Sequence, residues 1–256
     1  MTPDALSAKE LEKYDRQIMI PGFGAEGQAK LKKAKVFIAG AGGLGSPVAI
    51  YLAAAGVGTL KIVDRDIVDL SNLNRQVLHW DSDVGGKKVA SAAAKLKQFN
   101  PDILIETSAD TITAENTAAL IGDADAVVDA MDNLPTRYLL NLTAVKKNIP
   151  FFHGAVYGFE GRAMTVIPGQ SACLNCLYHG ALVPQKKFPV VGVTPAVIGC
   201  IQATEVIKYL VGIGELLTDR LLNYDGMAMK FTEFSVKKDP ACTVCGRPRQ
   251  AGKNER

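Results

Sequence analysis

The sequence predicts an α/β protein built on a mostly parallel sheet, with an antiparallel extension toward the C-terminus. Three observations carry that expectation. Short β-branched runs alternate with helical patterns up to about residue 156; a glycine-rich turn joins the first strand to a helix; and beyond residue 156 the rhythm changes. Strand–helix alternation implies right-handed crossovers and a parallel sheet covered on both faces.

The elements follow in order. "KVFIA" (35–39) is a strand, followed by a glycine turn and an Ala-rich helix over about 44–56; "TLKIV" (59–63) is the next strand. A helix pattern at about 86–99 precedes the strand "ILIET" (103–107). "ENTAALI" reads as helical, "DAVVDA" (125–130) as a strand, and "LPTRYLLNLTAVKKN" as a helix with Pro135 in its first turn. "IPFFHGAV" is a further strand and "FEGRAMTVIP" an antiparallel one. A Pro/Gly-studded loop runs from Ser171 to Pro195, then a helix, "PAVIGCIQATEVIKYLVG", and two strand candidates near 220–236. No clean linker interrupts the chain. The expectation is one integrated fold with a nucleotide-binding half (1–148) and a substrate-binding half (149–256).

Composition narrows the function classes. With 48% hydrophobic and 21% charged residues, the 256-residue chain has ample material for a core. A net charge of +3 demands neither nucleic acid nor an anionic membrane. Lys237, Lys238, Arg247, Arg249, Lys253 and Arg256 gather near the C-terminus without interleaved aromatics, as a solvated basic tail would. The charged N-terminus has no apolar core of a signal peptide, so a cytoplasmic protein is expected. Val36 to Leu60 carries no charge and is long enough to span a bilayer, but its six glycines and Pro47 divide it into strand, loop, helix and strand.

"GAGGLG" places Gly40, Gly42 and Gly45 in G-x-G-x-x-G spacing, with Gly43 between them, directly after a strand and opening a helix. Glycines there let backbone approach phosphate, while the helix N-terminus supplies N–H donors, as in a Rossmann-like fold. Asp64, ending the second strand, is positioned for ribose hydroxyls. These residues alone would suit an NAD(P)-dependent oxidoreductase. The continuation, "VDRDIVDLSNLNRQ", does not. Asn72, Arg75 and Gln76 lie beyond the ribose position, Lys88 begins the next helix, and Asp132 follows a strand at the ligand-binding edge. Cations there bring charge-assisted hydrogen bonds to a polyphosphate, and a carboxylate suits Mg²⁺. The set fits ATP with Mg²⁺ better than NAD.

Cys173 and Cys176 form one C-x-x-C pair, and Cys242 and Cys245 another. Two such knuckles in a chain without an export signal predict a Cys₄ zinc site, structural because no position is left for water. It would staple the C-terminal segment to the body. A thioredoxin-type redox pair is the weaker alternative, since these pairs are not expected to open a helix after a strand. Cys200 falls in an apolar helix pattern, where a buried small side chain is expected; His153 follows a strand near the presumed site and is expected to be packed.

Together, "GAGGLGS", "VDRDIVDLSNLNRQ", "VGGKKV", "DAMDNLPTR", the paired "CLNC" and "CTVC", and the early "YDRQI" resemble the ThiF/MoeB/HesA family, bacterial relatives of ubiquitin-activating enzymes. The resemblance runs from about Tyr14 to Cys245. It implies ATP-dependent adenylation of the C-terminal glycine of a small ubiquitin-like sulfur carrier of ThiS or MoaD type, with pyrophosphate released. A family member acting on a different carboxylate is the other reading.

Residue by residue, the resemblance implies that Asp64 binds ribose and that the loop of Gly40, Gly42, Gly43 and Gly45 sits against the adenosine and α-phosphate. Asn72, Arg75, Gln76 and Lys88 would contact the phosphates. Asp132 would handle Mg²⁺ with Asp66 assisting. Arg16, in "YDRQ", would reach across a homodimer interface to the partner's ATP, and Arg137 would give structural support. The loop "ALVPQKKFPVVGVTP" lacks the cysteine that some relatives use to capture the carrier, which implies adenylation alone. The Pro/Gly-rich loop at 181–195 would clamp the carrier's extended tail, with the carrier docked on the C-terminal strands.

Overall fold

The computed structural model describes residues 6–181 and 188–246. Much of the expected clamp loop and the tail arginines Arg247, Arg249 and Arg256, with Lys253, lie outside the described residues.

The N-terminal segment forms three helices that sequence patterning left unassigned: α1 (Ala8–Lys13), α2 (Asp15–Ile18) and α3 (Gly24–Lys33). A local signal for α1 was present. Ser7 and Glu10 form a reciprocal capping box, the Glu10 N–H donating to the Ser7 hydroxyl and the Ser7 N–H to the Glu10 carboxylate. Tyr14 then packs inward, where its hydroxyl accepts from the Asn100 amide at 3.0 Å.

From there the predicted alternation is realised, with β1 and β2 at their expected bounds and the other boundaries shifted by at most two residues. β1 (Lys35–Ala39), α4 (Gly45–Ala55), β2 (Thr59–Val63), α5 (Lys88–Phe99), β3 (Leu104–Ser108), α6 (Thr117–Ile121), β4 (Ala126–Asp129), α7 (Leu134–Lys147) and β5 (Phe151–Tyr157) follow in turn. α7 starts where Asn133 caps it, its side chain accepting the Thr136 N–H, and ends at Asn148 in a left-handed conformation. β6 (Glu160–Val166) returns antiparallel to β5. α8 (Leu174–Tyr178) and α9 (Val193–Val211) come next, then the hairpin of β7 (Arg220–Asp225) and β8 (Lys230–Ser235).

One expectation is corrected here. The stretch 171–195, read as one continuous loop, contains α8, and α9 begins two residues before Pro195. Leu174 and Cys176 bury against α7, and that tertiary contact stabilises a turn too short for periodicity to reveal.

All eight strands form one sheet in the order β3-β2-β1-β4-β5-β6-β7-β8. Contacts from β3 to β5 are parallel, and those from β5 to β8 antiparallel. Side chains alternate across it. Val36 and Ile38 face a core shared with α3, α4, α5 and α9, whereas Phe37 and Ala39 face a second core with α6, α7 and α8. The uncharged run 36–60 is thus buried sheet and helix. Among the described residues no helix is long and apolar enough to cross a membrane.

Candidate functional site

Because β1 lies between β2 and β4, its neighbouring crossovers leave in opposite directions, and a crevice opens beyond the carboxyl ends of these strands. A cleft of about 830 Å³ occupies that point. It is lined by Gly40, Gly42, Gly43, Asp64, Asp66, Arg75, Gln76, Lys88 and Asp132, so nine of the predicted residues from five separate turns converge.

The glycine loop is forced by close packing. Gly40 has φ +101°, and a Cβ there would lie 2.7 Å from the Ala130 carbonyl oxygen. Gly45 opens α4 so close to Gly40 that a Cβ would sit 1.9 Å from the Gly40 oxygen, which explains its glycine although it does not line the cleft. The loop is braced from behind by buried His79, whose Nε2 lies 2.8 Å from the Ala41 carbonyl and Nδ1 2.9 Å from the Ser91 hydroxyl on α5. Burial holds the His79 pKa below its ordinary value, favouring the neutral ring.

Asp64 accepts the Ala41 N–H through Oδ2 and the Asp66 N–H through Oδ1, both at 2.8 Å, so it ties the glycine loop to the next turn. Lys88 is nearly enclosed and its Nζ is 3.1 Å from Asp66 Oδ2. Arg75 donates to the Ser71 carbonyl at 2.9 Å and to Asn74 Oδ1 at 3.0 Å. Gln76 is buried in the cleft wall with its Oε1 unpartnered among the described residues. Asp132 stands exposed on the lip after β4.

Besides Gly45, two predicted residues lie outside the lining. Asn72 does not line the cleft: it closes a 3₁₀ turn with Asp69, and its carbonyl accepts the N–H groups of Arg75 and Gln76. It shapes the turn that presents those two side chains. Arg16 is exposed on α2, outside the lining of its own chain's cleft.

Arg137 as support and His153 as a packed ring agree with the sequence reading, which missed the acid that joins them in a buried charge network beneath the Asp132 turn. Asp129 ends β4 at 0% exposure. Its Oδ2 lies 2.7 Å from His153 Nδ1 and 3.8 Å from Arg137 Nε, and the Arg137 guanidinium also donates to the Met131 carbonyl. Burial holds the His153 pKa below its usual value, so the neutral ring donates Nδ1–H to Asp129 and the arginine supplies the compensating charge. The signal was an acid inside the otherwise apolar run "VVDA". Arg162 on β6 also faces the cleft and had no local signal.

The four predicted cysteines meet. All four Sγ atoms lie within 4.8 Å of one another, with 173–242 at 3.7 Å, 173–176 at 4.0 Å and 176–245 at 3.4 Å. A tetrahedral zinc with Zn–S of about 2.3 Å separates its sulfurs by roughly 3.8 Å, so this donor set fits. Burial opposes ionisation of Cys242, but the N–H groups of Cys245 and Val244 and the Asn175 amide outweigh it and draw the thiol down to about 6. Burial pushes Cys173 and Cys245 upward. The expected contrast with a redox pair fails locally, because Cys173 caps α8 and its pair therefore does open a helix after β6. Convergence of the second pair, about seventy residues on, distinguishes the site.

Residues 14–244 match the ThiF family. The chain belongs to the ThiF family. It is 45% identical to the SAMP-activating enzyme E1 of Haloferax volcanii over 94% of its own length and 91% of that protein. With a sulfur carrier protein adenylyltransferase of Thermus thermophilus it shares 42% identity over 93% of this chain and 92% of the relative. Among solved structures, E. coli MccB with ATP superposes with a TM-score of 0.80 at 25% identity, covering 94% of this ThiF-family chain and 75% of MccB.

Proposed function

We propose that this ThiF-family chain adenylates the C-terminal carboxylate of a ubiquitin-like sulfur carrier with ATP. The observation that carries the reading is the convergence of Arg75, Lys88 and Asp132 on one cleft against the glycine loop. Near-full-length likeness to a relative named sulfur carrier protein adenylyltransferase, and to one named SAMP-activating enzyme E1, supports it.

The reaction needs little covalent help from the protein. The carrier's carboxylate, ionised at neutral pH, attacks the α-phosphorus of ATP; a carboxyl O–P bond forms, the bond to the β-phosphate bridge breaks, and pyrophosphate leaves with the electron pair. The protein contributes orientation and charge neutralisation. Asp64 would accept from ribose hydroxyls; the glycine loop and the N-terminus of α4 would meet the α-phosphate; Arg75, Gln76 and Lys88 would contact the phosphates. Asp132 would hold Mg²⁺, which draws negative charge from phosphate oxygens when bound. Asp66 is engaged with Lys88, so its part is to hold that lysine in place.

Cys173, Cys176, Cys242 and Cys245 would hold a structural Zn²⁺ linking α8 to the segment after β8. Arg16, exposed outside its own cleft, fits a homodimer in which it serves the partner's site. Mixing Arg16→Ala and Asp132→Ala chains would then restore part of the activity that each lacks. No recovery from the mixture removes the trans role.

The deciding experiment is carrier-dependent ATP–pyrophosphate exchange with a panel of purified ubiquitin-like sulfur carriers. One carrier should support exchange that Asp132→Ala abolishes. Failure of every carrier, with ATP bound, would refute the assignment.

A further inference from the structure

Among the described residues five basic side chains line the cleft, and four are engaged. Lys88 pairs with Asp66, and Arg65 stands 3.7 Å from the same acid. Arg75 donates to Ser71 and Asn74, and Arg137 is bound to Met131 and Asp129. Arg162 has neither a hydrogen bond nor an ion pair among the described residues. A guanidinium facing a cleft without a protein partner presents all five donors in the fork that matches a carboxylate.

Its position in the sheet places it apart from the glycine loop. The register pairs His153 with Met164 and Ala155 with Arg162, which puts Arg162 on the α7 face of the sheet, past the end of β4. The glycine loop leaves β1, three strands away in the order β1-β4-β5-β6. At about 4.8 Å per strand the two backbones are roughly 14 Å apart, which sets Arg162 at the end of the cleft away from that loop. An acyl substrate reaching an α-phosphate seated at that loop would enter from this side.

The walls support the same assignment. The chain entering α9 is fastened over the β5–β6 turn: the Gly158 N–H donates to the Pro189 carbonyl at 2.7 Å, and the Thr194 hydroxyl to the Gly158 carbonyl at 3.0 Å. Phe188 stacks on Tyr157 at 6.3 Å between centroids. Phe188, Val190 and Ala155 line the same cleft as Arg162 and give it an apolar wall, while the arginine itself is exposed to an incoming ligand.

We propose that Arg162 receives the terminal carboxylate of the incoming carrier and holds it at the acyl end of the cleft, facing the α-phosphorus. The proposal rests on the adenylation reading. It gives the guanidinium a role for which two mutually repelling anions create the need: keeping the nucleophile beside the phosphate it attacks.

The test uses the carrier that gives the fastest exchange with the wild-type protein, and the same carrier with its terminal carboxylate converted to an amide. Arg162→Ala should raise KM for the native carrier about tenfold, equivalent to about 1.4 kcal/mol, and leave KM for ATP within about twofold. Arg162→Lys should recover part of the loss. In direct binding measurements the wild type should prefer the native over the amidated carrier, and Arg162→Ala should abolish that preference. An undiminished preference in Arg162→Ala, or equal weakening toward both carriers, overturns the proposal. A wild type that exchanges with no carrier instead refutes the adenylation reading itself.

Discussion

Lys88 Nζ lies 3.1 Å from Asp66 Oδ2 inside the cleft, with 7% of the lysine side chain exposed against 55% of the aspartate. The lysine is enclosed and aimed, while its partner remains reachable by water. An exposed acid is a replaceable counter-ion: its attraction is partly screened, and an arriving triphosphate carries more charge.

That asymmetry separates the two residues experimentally. Lys88→Ala should lower carrier-dependent exchange by about 10²–10³-fold, the loss expected from removing a donor to developing phosphate charge. Asp66→Asn keeps the shape and should cost less than about tenfold. Equal losses would make Asp66 a direct participant, and wild-type exchange in Lys88→Ala would remove the lysine from the phosphate site.

Asp129 and Arg137 should govern stability. Asp129 is fully enclosed, and Arg137 is its compensating cation as well as the donor to the Met131 carbonyl. Arg137→Leu leaves a buried carboxylate without its charge partner, and breaking such a pair costs about 3–5 kcal/mol. Urea denaturation should show a loss in that range. A loss under about 1 kcal/mol would mean that Asp129 is satisfied by His153 alone.

The purified protein should contain about one zinc per chain, the stoichiometry of a closed four-thiolate site. Cys242→Ser should abolish zinc retention, and unfolding should move down by more than about 5 °C, since roughly 2–4 °C corresponds to each kcal/mol in a chain of this size. Limited proteolysis should then cut after β8, because the thiolates fasten that segment to α8. A zinc-free wild type with all thiols intact rules the site out.

His79 and His153 give stability a defined pH dependence. Burial depresses both pKa values below 6.5, so on acidification the unfolded chain takes up protons that the native rings refuse. Their contribution is fully present above about pH 6.5 and is lost as pH falls below it, at up to about 1.4 kcal/mol per pH unit for each ring. Denaturation at pH 7.5 and 5.5 should show the drop, and His79→Gln should reduce it. An identical drop in that variant would assign the acid sensitivity elsewhere.

Much of the site was legible because its parts are local. The glycine loop, Asp64 and the Cys-x-x-Cys pairs are short patterns whose spacing reflects backbone reach; the loop and Asp64 meet at the cleft and the two pairs meet each other. Asn72 differs. Its side chain is as suited to a phosphate as to a turn, and only the competing hydrogen bond with Asp69 turns it away from the cleft. α8 and the N-terminal helices were missed for a related reason. They are too short for a hydrophobic period and are held by what they touch.

The order of elements, the family, the glycine loop and Asp64 of the cleft, and the four cysteines were determined by the sequence alone, since local spacing and polarity specify them. Tertiary structure alone decided which groups share a space: Lys88 with Asp66, Asp129 with Arg137, Arg162 without a partner among the described residues, and four thiols from segments about seventy residues apart within 4.8 Å of one another. The reason is that side-chain pattern reports periodicity along the chain. Convergence depends on β1 lying between β2 and β4 and on β6 folding back antiparallel to β5, and no stretch of the sequence encodes that order by itself.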